Sequence, residues 1–131
     1  MNYSLPSHLS NIPLYQKAMD IFILSRSIST YLNDDLCLLD IDGKENSDIY
    51  FTGDIIQQSQ SLAPEIINAE LERFSDKKNK HIESLDRLTQ RLYNNCKRLE
   101  SSKSNGKDYL PILRNELKKF KKLQRTWMLT L

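Results

Sequence analysis

Apolar side chains recur every three or four residues through most of this 131-residue chain, and that period constrains its fold more than any other feature. The spacing collects apolar groups on one face of an α-helix, whereas a half-buried strand needs strict alternation. In the segment 13–32, Leu14, Ala18, Ile21, Ser25, Ile28 and Leu32 share one face, which Phe22 broadens. Met19, Ile23 and Leu24 lie off it. A helix apolar on more than one side calls for more than one neighbour, either at a central bundle position or in a contact between copies. Pro13 suits its first turn, where a missing N–H costs nothing.

Three further segments repeat the pattern. In 48–73, Ile55, Ile56, Ser59, Leu62, Ala63, Ile66 and Ile67 form the apolar face. Pro64 lies inside this segment and predicts a kink near 60–64, with the polar run 57–61 placed to satisfy freed carbonyls. In 76–102 the stripe is Ile82, Leu85, Leu88, Thr89, Leu92, Cys96 and Leu99, with Ser75 expected as N-cap and Asp76 in the first turn. In 109–129, Leu110, Leu113, Leu117, Phe120 and Trp127 make a heptad-like seam, with Asp108 expected as cap and Pro111 in the first turn. Between the last two segments, Asn105-Gly106 signals a turn. Segment 33–47 breaks the period and is expected as an irregular acidic loop. Its run 36–41 could cover the bundle, and its acidic residues fail a calcium-loop spacing, because counting back from Gly43 puts Leu38 at the first ligand position.

Helices of ~20–25 residues are ~30–37 Å long. Four of them with short connections predict one all-α domain, 1–131, built as an up-down-up-down antiparallel four-helix bundle. With only 3 Gly and 4 Pro, a loop-rich all-β chain is excluded. Two cysteines, Cys37 and Cys96, are too few for a disulfide scaffold and read as reduced thiols of a cytoplasmic protein. The N-terminal residues lack a basic and apolar leader, and no apolar run reaches membrane-span length, so neither secretion nor a membrane partner is expected.

Catalytic chemistry is hard to assemble from this inventory. His8 is expected in a mobile N-terminal tail, and His81 lies among lysines. No Cys and His share a metal-ligand spacing, no Glu-x-x-His pair is present, and no glycine-rich phosphate loop or nucleophile elbow occurs. The reading is therefore non-enzymatic, with no metal and no cofactor.

Charge is better organised than chemistry. The net charge of +2 hides two unlike halves. Residues 1–75 hold 4 basic and 11 acidic side chains, a net of −7; residues 76–131 hold 15 and 6, a net of +9. With Lys80 set at zero and roughly 100° per residue, Arg87 falls at roughly −20°, Arg91 at roughly +20° and Arg98 at roughly zero. These four form a straight stripe opposite the apolar face. On the fourth helix, Arg114, Lys118, Lys121 and Arg125 fall within about 60° of one another, with Lys122 beside them. A solvated face is the ordinary reading of such charge. The uneven halves and the scarcity of acidic partners at helical spacing favour a phosphate-binding surface that does not read sequence. The stripe has no interleaved aromatics, so base stacking is not expected; Tyr93 is nearest and belongs at the core edge.

The segment 49–101, with FTGD before the second helix, INAEL at its end and a basic third helix with L-x-x-L spacing, resembles the accessory variability determinant family of diversity-generating retroelements. It is also similar to the broader four-helix-bundle proteins encoded in bacterial rRNA intervening sequences. The ending LQRTWMLTL, with Trp127 in the last turn, shares in the resemblance, which covers most of 12–131. It implies a bundle that assembles into a ring-like homopentamer, with a basic surface for RNA or DNA and a reverse transcriptase as partner. It would place helical arginines at Arg87 and Arg91. The net charge of only +2 and the acidic segment 33–48 set this chain apart from that family. The alternative is an oligomeric protein-interaction scaffold whose −7 and +9 halves meet head to tail.

Overall fold

In the computed structural model, which describes residues 7–36, 49–102 and 105–131, every regular element is helical. The elements are α1 (Ser7–Ser10), α2 (Pro13–Leu36), α3 (Ile49–Gln60), α4 (Leu62–Leu71), α5 (Ser75–Glu100), a 3₁₀ turn (Asn105–Tyr109) and α6 (Leu110–Met128). No helix among the described residues is long and apolar enough to cross a membrane.

The apolar periods become one core. All six face residues of α2 are buried, as are Ile55, Ser59, Leu62, Ala63 and Ile66 from α3 and α4. From α5 come Leu85, Thr89, Leu92, Cys96 and Leu99, and from α6 the whole seam Leu110, Leu113, Leu117, Phe120 and Trp127. Ile56, Ile67, Ile82 and Leu88 sit at the margin, half-buried. Polar contacts fix which helices adjoin. The Ser29 hydroxyl donates to the Thr52 carbonyl at 3.1 Å between α2 and α3. Asn95 donates to Gln58 at 2.9 Å between α5 and α3, and Lys17 pairs with Glu116 at 2.8 Å between α2 and α6.

Several boundaries differ from the sequence reading, each for a local reason. His8 is exposed within the short helix α1 rather than lying in a tail. The helix expected over 13–32 continues through 33–36, where a loop was expected; the rest of that loop, 37–47 with Cys37, lies outside the described residues. The segment 48–73 is two helices, not one kinked helix. The chain breaks at Ser61, and Pro64 falls in the first turn of α4, where its absent N–H loses no intrahelical bond. The Ser61 hydroxyl donates back to the Gln57 carbonyl at 2.9 Å across the break.

Neither expected side-chain cap forms. The N-cap of α5 is Phe74, with extended backbone, and Ser75 is already helical. The Glu72 carboxylate instead accepts the Arg73 and Phe74 amides at 3.1 and 3.2 Å, placing a negative charge at the helix start. At α6 the N-cap is Tyr109, because the preceding 3₁₀ turn runs straight into the helix and leaves Asp108 one residue too early.

Candidate nucleic-acid interface

The basic side chains lie on α5 and α6, whose contacts run in opposite chain directions. Glu100 pairs with Arg114, Gln90 meets Lys121 at 3.5 Å, and Asp86 accepts from Gln124 at 2.6 Å. As residue number falls along α5, its partner on α6 rises, so the two helices are antiparallel. Their amphipathic patterns turn the apolar stripes inward and leave basic side chains on the outer faces of both helices.

On α5, Lys80, Arg87 and Arg91 are exposed, and none forms an ion pair among the described residues. Asp76 and Glu83 precede Lys80 and Arg87 by four residues, yet neither pair closes to ion-pair distance. These three cations remain available to an external anion. Arg98 differs from the other three members of the expected stripe. Its guanidinium sits 4.2 Å from the centre of the Phe51 ring, so it packs against α3 as well as facing solvent.

The fourth-helix group divides. Lys118, Lys122 and Arg125 are exposed without an ion-pair partner among the described residues. Arg114 and Lys121 are half-buried and turn into the seam with α5. The expectation that all five present one free face is corrected by this register, because Arg114 is engaged by Glu100 and Lys121 reaches Gln90.

The seam also holds an aromatic that the stripe lacks. Tyr93 is half-buried against the core, as expected, but its exposed part lies among cations. Lys121, Lys97 and Arg114 stand 5.5, 5.9 and 5.9 Å from the ring centre. The Arg114 guanidinium beside the hydroxyl holds it below the ordinary phenol value; burial opposes this, and the charges of Lys118, Arg114 and Lys97 add to the lowering. Arg114 is itself held above the ordinary guanidinium value, first by its bond to Glu100 and then by Tyr93. Sequence spacing places Tyr93 at the core edge but misses Lys97 and the cations around the ring, because these depend on which α6 residues face α5.

Among the described residues, no three His, Cys, Asp or Glu side chains come together as metal ligands would. His81 Nδ1 lies 3.1 Å from a Glu65 oxygen and ties α5 to α4. Cys96 is buried, and loss of solvent around its thiol pushes the pKa up to about 12, with Glu100 adding to the effect.

Comparison of the chain with family models, curated proteins and solved structures gave no match.

Proposed function

We propose that this chain is a non-enzymatic, cytoplasmic nucleic-acid-binding accessory protein of the diversity-generating retroelement type, acting beside a reverse transcriptase. In this reading α3 and α4 count as one arm broken at Ser61, which gives an up-down-up-down four-helix bundle. Copies of the bundle assemble into a ring, a homopentamer by resemblance.

The observation that carries the reading is the set of exposed cations with no ion-pair partner among the described residues, on adjoining antiparallel helices: Lys80, Arg87 and Arg91 on α5, and Lys118, Lys122 and Arg125 on α6. Point charges spread along two helices match a phosphate backbone and carry no base code. Arginine favours bidentate phosphate contact, which suits Arg87 and Arg91 as the firmest holds. The test is binding to structured RNA and to duplex DNA across a salt series, for the native chain and for Arg87→Glu with Arg91→Glu. Tight, salt-sensitive binding that the double substitution weakens is expected.

A second reading, an oligomeric scaffold for proteins, has its own observation. An open groove of about 420 Å³ between α2 and α4 is lined by Tyr15, Met19, Phe22, Ala63, Pro64 and Ile67. Ile23 nearby on α2 is 59% exposed. Exposed apolar surface of this kind is open to a partner. Light scattering that finds a salt-sensitive oligomer with no affinity for nucleic acid would favour the scaffold.

A further inference from the structure

We propose that the seam around Tyr93 is a binding site for a phosphomonoester, the doubly charged phosphate at a nucleic-acid terminus or on a nucleotide. The terminus form of the proposal rests on the nucleic-acid reading above; the site itself does not.

Its carriers come from both helices. Lys97 on α5 and Lys121 on α6 stand 5.9 and 5.5 Å from the Tyr93 ring centre. Lys118, one turn before Lys122 on α6, lies close enough for its charge to act on the Tyr93 hydroxyl. None of the three ammonium groups has a carboxylate partner among the described residues. Of the acids in the seam, Glu100 is taken by Arg114 and Asp86 accepts from Gln124. What remains is three uncompensated positive charges around one phenol.

The phenol adds direction. The Arg114 guanidinium, 5.9 Å from the ring centre, donates only and can take no proton from the Tyr93 oxygen. The hydroxyl hydrogen is left to donate outward, toward an acceptor held by the lysines. Three ammonium groups and one O–H form a donor-rich cradle, with the Gln90 carbonyl at its edge, and such a cradle favours an oxyanion over cations and neutral sugars. An internal phosphodiester carries a single charge. A terminal phosphomonoester carries about −1.5 to −2 near neutral pH and three acceptor oxygens, a better match to this donor count. The site is also distinct in position from the outer stripe. Tyr93 and Lys97 lie roughly 100–140° around α5 from Lys80, on the side facing α6.

The experiment measures the affinity ratio between phosphorylated and hydroxyl-ended strands. Twelve-nucleotide DNA and RNA oligonucleotides of one sequence are compared with a 5′-phosphate, a 3′-phosphate and no terminal phosphate. The phosphorylated strand is expected to bind roughly tenfold tighter, as charge-assisted hydrogen bonds of this kind support. Tyr93→Phe with Lys97→Gln should bring that ratio toward one. Arg87→Glu with Arg91→Glu should weaken both strands and keep the ratio. Equal affinity for both ends in the native chain overturns the inference while the nucleic-acid reading stands. If no oligonucleotide binds, that reading fails and the nucleotide source decides the inference. AMP shifting the backbone amide resonances of Tyr93 and Lys97, with adenosine inert, upholds the site. No response to AMP overturns it.

Discussion

The Trp127 indole N–H donates to a Glu70 carboxylate oxygen at 2.7 Å, joining the last turn of α6 to the last turn of α4. Trp127 is 5% exposed and completes the α6 seam, so its one polar atom sits where few other partners are within reach. Removing the acceptor leaves a nearly buried donor unsatisfied. Glu70→Ala should therefore cost about 1–2 kcal/mol in urea unfolding. Trp127→Ala, which also empties the core, should cost about 3–5 kcal/mol. A cycle with Trp127→Phe isolates the bond, and coupling near zero would show that the contact carries no stability.

The second prediction concerns acid. Glu116 accepts from Lys17 at 2.8 Å and from Lys119 at 3.1 Å, and these two bonds hold its carboxyl below the usual range against the opposing effect of burial. Its folded value lies below its unfolded value. The ionised form therefore stabilises the fold in full above about pH 4.3, the ordinary glutamate value, and the contribution is lost as pH falls through the lower folded value. The urea midpoint of the native chain should drop more steeply between pH 5 and 3 than that of Glu116→Gln. Parallel curves for the two proteins would remove Glu116 from the explanation of acid sensitivity.

The third concerns the buried thiol. Burial pushes Cys96 up to about 12. The thiolate is the reactive form, so at pH 8 the group is both protonated and inaccessible. In a Cys37→Ser background, a thiol-specific reagent should modify the folded protein only at its opening rate and react at once in denaturant. Immediate reaction in the folded state would contradict the placement of Cys96 in the core.

What the residues revealed in advance, and what they hid, divides along one line. Periodicity within a helix identified the faces of α2, α5 and α6, because burial of a helical stripe depends only on spacing along that helix. The buried seam from Leu110 to Trp127 is the clearest case. Relations between helices were not legible. Arg114 and Lys121 share a sequence face with Lys118 and Arg125, yet the α5–α6 register draws the first pair toward Glu100, Tyr93 and Gln90, half-buried, and leaves the second pair exposed. Arg98 fits the α5 stripe in spacing, but Phe51 from α3 meets its guanidinium. Helix starts were misplaced for a related reason. Local preference puts a capping hydroxyl at Ser75, but the helix begins one residue earlier with Phe74 as N-cap, and the Glu72 carboxylate binds the two amides just before the helix.

The phosphate-binding role proposed for the exposed cations on α5 and α6 requires a grip that salt weakens. The most direct test is the salt dependence of affinity for one duplex DNA, measured for the native chain and for Arg87→Glu with Arg91→Glu. Each phosphate neutralised adds roughly −0.9 to the slope of log affinity against log salt. Loss of two such contacts should flatten the slope by roughly 2, together with weaker binding at every salt concentration. A double variant with the native affinity and the native slope would contradict the claim.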